Sequence, residues 1–166
     1  MRLVAAPMAS HHLDQVMDLE NACFPHPWPR RVFQALMANP RAITLVGRRL
    51  PQPTVAAVLC LMLETEIGQE EPTLAMIQNL VVHPEYRRRG VAAHMLLTGL
   101  QEAYRRGGRR ALLEVRPSNQ AARRLYYSLG FEQTGRKPGY YAIPPEDAIV
   151  LGCRLENLFG PPRENG

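Results

Sequence analysis

With 166 residues, 46% hydrophobic and 21% charged, the chain has the composition of one folded domain with a real core, not of a disordered protein. A formal net charge of +5 suits an anionic ligand, yet no recognition helix, aromatic RNA-binding signature or basic tail accompanies it, so direct nucleic-acid binding is not expected. No apolar run can span a bilayer, no signal-peptide core follows Met1-Arg2-Leu3-Val4, and Cys23, Cys60 and Cys153 are too scattered for a disulfide framework or zinc motif. The expectation is a cytoplasmic protein without membrane contact. Cys23 and His26 have a metal-ligand spacing, but two ligands make no site and no metal is expected.

In chain order, Arg2 to Ala6 reads as a strand. Ser10 is placed to cap a helix over His11 to Ala22, with Leu13, Val16, Met17 and Leu19 as its apolar side and His11 and His12 exposed at its start. Phe24-Pro25-His26-Pro27-Trp28-Pro29 is a stiff loop, because each proline fixes its own φ and restricts its predecessor. Trp28 either pins this loop to the core or lines a site. A second helix covers Arg30 to Ala38. Ala42 to Gly47 and Thr54 to Leu63 read as antiparallel strands around Pro51-Gln52-Pro53, and Glu64, Glu66, Glu70 and Glu71 cluster at the next turn.

The most informative stretch begins with the strand Thr73 to Val82. His83-Pro84 ends it, Arg87-Arg88-Arg89-Gly90 follows, and Val91, Met95, Leu96, Leu100 and Tyr104 then recur at helical spacing as far as Arg106. A helix N-terminus offers unpaired N–H groups and a positive dipole end. Gly90 permits close backbone approach, Ala92 and Ala93 keep the first turn open, and arginine forks match phosphate oxygens. The alternative is a solvated charge run, but the flanking strand and helix favour a diphosphate. There is no Gly-Lys-Ser/Thr and no full Gly-x-Gly-x-x-Gly.

Arg110 to Val115 is a strand parallel to the last, by its helical crossover. Ser118 or Asn119 caps a helix to Leu129, and Gly130 ends it. Phe131 to Arg136 and Glu146 to Arg154 complete the sheet, joined through Pro138-Gly139-Tyr140-Tyr141. Residues 1–157 read as one domain and 158–166 as a flexible tail. Asn119 and Tyr126 fall on one flank of their helix, beside Glu114 at the end of the preceding strand. Taken singly, Glu114 reads as the partner of Arg116 or Arg110, Tyr126 as a core edge and Asn119 as a cap. Taken together, and after the arginine turn, they favour a site.

The order Arg87-x-x-Gly90-x-Ala92 resembles the acetyl-coenzyme A signature of the GNAT N-acetyltransferases. Pro27-Trp28-x-x-x-x-Phe33, Asn79-Leu80-Val81-Val82, Leu113-Glu114-Val115-Arg116, Leu125-Tyr126-x-x-Leu129-Gly130-Phe131, Tyr140-Tyr141 and Glu146-Asp147-Ala148-Ile149 extend the resemblance to the ribosomal-protein alanine N-acetyltransferases, the RimI type. Ala92 stands where many relatives have glycine, and the Trp28 loop and Ala142 to Pro145 are unusually rich in proline. The resemblance implies an α/β (α+β) GNAT fold, a mixed and mostly antiparallel sheet with two splayed central parallel strands flanked by helices. It implies that Leu80, Val81 and Val82 hold the acetyl-pantetheine, and that Arg88, Arg89, Gly90, Val91, Ala92 and Ala93 hold the pyrophosphate. Asn119 would contact the pantetheine arm, Glu114 act as base and Tyr126 as acid.

An α-amine has a reference pKa of about 7.7–8.0 against about 10.4 for lysine, so a peptide N-terminus needs little help to lose its proton. Glu114, through water, would complete that loss, backbone N–H groups near Val81 would receive the oxyanion, and Tyr126 would protonate sulfur. No metal and no covalent enzyme intermediate is required. The expected partner is a protein N-terminus, foremost an alanine-first ribosomal protein, met by a monomer or weak dimer. Trp28, Tyr140 and Tyr141 would wall the acceptor slot, and the glutamates at 64–71 would attract a basic peptide if within about one Debye length, some 8 Å. The rivals are acetylation of lysine or a small amine, a non-catalytic acyl-coenzyme A sensor, and a basic nucleic-acid module.

Overall fold

The apolar run from Val55 to Leu63 has no polar side to give to water, and it becomes the middle of the sheet, covered on both faces. The computed structural model describes residues 2–161. Its strands are β1 (Arg2–Pro7), β2 (Ala42–Leu50), β3 (Thr54–Glu64), β4 (Leu74–Val82), β5 (Arg110–Val115), β6 (Glu132–Ala142) and β7 (Pro145–Arg154). Its helices are α1 (Leu13–Cys23), α2 (Arg30–Ala38), α3 (Val91–Arg105), α4 (Gln120–Ser128) and the short α5 (Glu156–Phe159). The seven strands lie in the order β1-β2-β3-β4-β5-β7-β6. Every neighbouring pair is antiparallel except β4 and β5, so the mixed GNAT-type sheet expected from the sequence is the one observed.

Alternation along β3 divides the interior in two. Ala57, Leu59, Leu61 and Leu63 join the core under α3, where Val91, Met95, Leu96 and Leu100 meet them. Val58 and Cys60 join the core under α1 and α2, with Val16, Leu19, Phe33 and Leu36. A bulge at Ala56 reverses the alternation and sends Val55 to the α1 side. Burial on both sides fixes register, because a slip of one residue would exchange the two faces.

Several expectations are corrected. Ser10 caps nothing: it opens a 3-10 turn, Ser10–His12, whose preceding Ala9 N–H donates to His12 Nδ1 at 3.0 Å. His12 is therefore buried rather than exposed, and burial, then His11 and Arg48, lower its pKa. Tyr140 and Tyr141 lie within β6, not in a linking loop. Two extra residues bulge from β6 between Lys137 and Tyr141, where Asp147 accepts the Gly139 N–H and the Arg136 Nε–H, each at 2.8 Å. The tail expectation fails for residues 158–160. α5 holds Leu158 and Phe159 against the core, Phe159 lies 5.7 Å from the Tyr104 ring, and the Tyr104 hydroxyl donates to the Gly160 carbonyl at 2.6 Å. Residues 162–166 of that expected tail lie outside the described residues.

The seating of α3 sets the position of the arginine turn, which its N-terminus carries. Gly99 lets this helix approach β3: a Cβ there would stand 2.3 Å from Leu59 Cδ2, and Leu59 has no exposed surface into which to retreat. Gly99→Val is expected to destabilise the fold by about 1–3 kcal/mol, lowering the urea midpoint with an unchanged slope. A wild-type midpoint would contradict this seating.

Candidate active site

The sheet opens where its two parallel strands part. β4 and β5 are paired only through Leu74–Arg110, Ala75–Ala111 and Met76–Leu112. Beyond Met76, the edge of β4 that faces β5 has no strand partner. A bulge at Gln78 coincides with the parting, because Ile77 opposes Leu61 and Asn79 opposes Cys60. Before it, Ala75 and Ile77 face the α3 core; after it, Val82 does, while Val81 faces α1. Leu80, Val81 and Val82 thus run along an opened edge, where alternate residues of a strand turn their main-chain groups towards the gap and the others towards β3.

The arginine turn stands at the mouth. Arg87 does not reach outward: its Nε–H donates to the Val82 carbonyl at 3.0 Å and its Nη2 approaches Cys23 Sγ at 3.6 Å, tying the turn to the end of β4. Arg88 and Gly90 are both left-handed, with φ of 60° and 75°, which curls the backbone between them. Arg88, Arg89 and Gly90 are exposed, and no atom lies within 4 Å of where a Gly90 Cβ would be. The first-turn N–H groups of α3, from Val91, Ala92 and Ala93, have no partner within the helix and face this open ground. The cradle fits a diphosphate.

Glu114 and Tyr126 lie on opposite faces of the sheet. Leu113 and Val115 join the α3 core, so Glu114 between them projects to the α1 side. Neither Arg116 nor Arg110 pairs with it: Arg110 holds Glu66 at 2.6 Å, and Arg116 holds Glu146 at 3.2 Å. Its partner is Lys137, two strands away. Glu114 opposes Val150 on β7, and Lys137 opposes Ala148, so all four share one face and the small Ala148 leaves room for the crossing. Burial pushes the Glu114 carboxyl pKa up, but hydrogen bonds from Lys137 and Tyr140 and the Lys137 charge outweigh it, and the net shift is downward. The same carboxylate, with burial added, pushes the Tyr140 hydroxyl up to about 12.

Tyr126 lies in the α3 core, its ring 5.6 Å from that of Phe131. Burial first, then the nearby Tyr141, push its pKa up to about 12, so the phenol keeps its proton at neutral pH. Asn119 is the cap of α4, its Oδ1 accepting the Ala122 N–H at 3.2 Å, which leaves its amide nitrogen as the group free to meet a ligand. Ser118 serves Glu146 instead, through N–H at 2.7 Å and Oγ at 2.9 Å. Arg116 donates to the carbonyls of Ile143 and Pro144 at 3.1 and 2.9 Å, and its guanidinium covers the Tyr141 ring at 4.1 Å. Arg116 and Glu146 together clamp the β6–β7 hairpin to the start of α4. Tyr140 and Tyr141 meet edge to face at 5.0 Å.

Sequence reasoning missed Glu20. This carboxylate is buried, accepting the Asn79 side-chain amide and the Trp28 backbone N–H, each at 3.0 Å. It fastens the bulge of β4 to the Trp28 loop, and Trp28 packs on Phe33 at 5.6 Å. The one signal for it was its spacing: Glu20 lies four residues from Val16 and next to Leu19, on the buried side of an amphipathic helix. The glutamate cluster at 64–71 belongs elsewhere. It follows β3 at the start of β4, and Val82 at the open end lies roughly 26 Å away, eight steps of about 3.3 Å. That exceeds a Debye length of about 8 Å threefold, so the cluster does not steer ligands to the far end of the opening, at Val82. A recess of about 650 Å³ between β1, β2 and the end of α3 contains none of these residues.

A strand edge left unpaired beside an exposed anion cradle is an arrangement that can hold an extended ligand with a phosphate at one end. Residues 13–131 match the acetyltransferase (GNAT) family model, and the chain belongs to that family. It is 30% identical over 145 residues to the ribosomal protein bS18-alanine N-acetyltransferase of Escherichia coli K12, covering 86% of this chain and 91% of that one. An uncharacterised Mycobacterium leprae protein is 31% identical over 151 residues; these are 90% of this chain but 40% of that longer protein. The crystal structure of the E. coli ribosomal-protein alanine N-acetyltransferase superposes with a TM-score of 0.80 at 25% identity, covering 99% of both chains. Arabidopsis thaliana NAA60, solved with acetyl-CoA, shares the fold at a TM-score of 0.81 and 18% identity, covering 93% of this chain and 99% of that one.

Trp28 is the sole tryptophan and reports on its own loop. Glu20→Ala would strand one buried and one half-buried donor and is expected to cost about 1–3 kcal/mol and to shift tryptophan emission to the red. Unchanged emission would mean that Glu20 does not fix the loop.

Proposed function

We propose that this acetyltransferase moves the acetyl group of acetyl-CoA to the α-amine of a protein N-terminus, with an N-terminal alanine of a small-subunit ribosomal protein as the leading acceptor. One observation supports the reading: the pairing of β4 with β5 stops after three residue pairs, and β5 carries Glu114 on one face of the sheet while Tyr126 lies on the other. The E. coli relative, similar over most of both chains, supplies the acceptor class.

In this reading the exposed Gly90 turn and the first turn of α3 hold the pyrophosphate, with Arg88 and Arg89 adding charge. The β4 edge at Leu80 to Val82 aligns the pantetheine, assisted by the Asn119 amide. The acceptor enters on the face of Trp28, Tyr140 and Tyr141. Glu114, kept ionised by its neighbours, receives the amine proton directly or through water, and the amine attacks the thioester carbon in a ternary complex. Main-chain N–H groups beside Val81 stabilise the oxyanion, fixed donors that need no reorganisation. Tyr126 delivers the proton that leaves with sulfur.

Kinetics test the assignments. Tyr126→Phe is expected to lower kcat roughly a hundredfold with coenzyme A affinity unchanged. Glu114→Gln should slow turnover most at low pH, where the amine is charged and needs a base. Gly90→Val should weaken coenzyme A binding by calorimetry, because a β-branched residue is strained at φ 75° and its side chain enters the cradle. Competition between peptides with only a free α-amine and peptides with only a free lysine tests the acceptor. Preference for lysine would overturn the N-terminal reading, and full activity in both Glu114→Gln and Tyr126→Phe would return these residues to structural roles.

A further inference from the structure

Of the 20 residues counted as Lys plus Arg, one is lysine: Lys137. That single primary amine on a side chain is hydrogen-bonded to Glu114. Whatever the natural acceptor, its nitrogen has to come within hydrogen-bond reach of the base, or one water away. Lys137 Nζ already stands there. It lies on the acceptor face, since Lys137, Ala148, Val150 and Glu114 share a side of the sheet.

We infer that Lys137 is a second acceptor, acetylated in cis when the donor is bound and no peptide occupies the slot. The inference rests on the reading of Glu114 as base. Three further features fit it. The Lys137 side chain is 51% exposed, so its four-carbon stem is not locked by packing. The Tyr140 ring lies 5.3 Å from Nζ and its hydroxyl donates a hydrogen bond to the same Glu114 carboxylate, so amine and base are held in one group of side chains. The neighbouring cations are otherwise engaged, Arg136 with Asp147 and Arg116 with Glu146, and a guanidinium is no nucleophile.

The chemistry balances without any further reagent. The ammonium gives one proton to Glu114 and thence to solvent, the freed nitrogen pair forms the N–C bond, and the C–S bond breaks. The second nitrogen proton is matched by the one that Tyr126 places on sulfur and then recovers from solvent. The products are an amide on Lys137 and free coenzyme A. A lysine amine is a slower acceptor than an α-amine at neutral pH and gains on it as pH rises.

Acetylation would also alter Glu114. The groups that face its carboxylate are Lys137, Tyr140 and Tyr141, with Arg116 and Glu146 behind Tyr141. Of these, Lys137 supplies the positive charge that lowers the Glu114 pKa. Once that charge is lost, the carboxyl takes up its proton at a higher pH, and the acid limb of peptide acetylation moves upward with it. The device would lower activity in mild acid after a period without substrate.

The test incubates the full chain with acetyl-CoA and no peptide, at several pH values from neutral to mildly alkaline, and maps acetyl groups by tandem mass spectrometry. The N-terminal amine is scored separately. The expected result is acetyl on Lys137 at a first-order rate independent of protein concentration. That rate should rise with pH, fall when an alanine-first peptide is added, and drop at least tenfold in Glu114→Gln. Lys137→Arg should take up none. Equal labelling in wild type and Glu114→Gln would identify simple chemical acetylation and overturn the proposal. So would a Lys137 that stays unmodified through long incubation with acetyl-CoA alone, in protein that afterwards turns over peptide. Peptide turnover is read in parallel: its loss alone sinks the N-terminal acceptor reading and leaves Lys137 standing.

Discussion

The site depends on one constraint: β4 and β5 stop being hydrogen-bonded after three residue pairs. Main-chain groups at the centre of a sheet are seldom left without partners, because each unpaired one costs as much as a lost hydrogen bond. Here the gap is kept open from both sides. β4 is bound along its other edge to β3, and β5 along its other edge to β7, so neither can move to close the gap without breaking a longer ladder. A ligand with amides of its own can complete the interrupted pairing. In the proposed function the split is a binding site made from backbone, and the side chains around it orient what the backbone holds.

Strand alternation then separates the two halves of the chemistry. The α3 face carries the anion cradle and Tyr126, and the α1 face carries Glu114 and the aromatic walls. Their ionisation states follow from these surroundings. Tyr126 is buried among apolar neighbours and keeps its proton. Glu114 has a lysine and a phenol against it and stays charged although partly buried. A carboxyl and a phenol are pushed in opposite directions, each further into the form it already takes at neutral pH.

Much of this was legible in the sequence, and the physical reason is local. The strand, the arginine turn, Gly90 and the apolar spacing of α3 are contiguous, and each element signals its neighbour. The cap of α4 is similarly local, although Asn119 rather than Ser118 fills it. What stayed hidden depends on distant pairing. Lys137 meets Glu114 across an intervening strand, Glu20 meets Asn79 and Trp28 from another element, and His12 is buried by a turn whose cap is a side chain three residues on. The extension of β6 over Tyr140 and Tyr141 was hidden by Pro138 and Gly139, which read as breakers but are accommodated in a bulge fastened by Asp147. Leu158 and Phe159 looked like tail until Tyr104 provided a surface for them.

The clamp between Arg116 and Glu146 divides the molecule into parts that can change at different speeds. The donor cradle rests on the apolar core beneath α3, where a single added methyl is felt. The acceptor walls are instead fastened by a few charged groups: Glu20 for the Trp28 loop, Asp147 for the bulge and Arg116 with Glu146 for the hairpin tip. Between those fasteners the exposed Ile143 side chain is open to substitution, whereas Tyr140 is held by Glu114 and Tyr141. A lineage descended from such a fold can therefore acquire new acceptors by rewriting two short segments, while the donor seat is inherited intact.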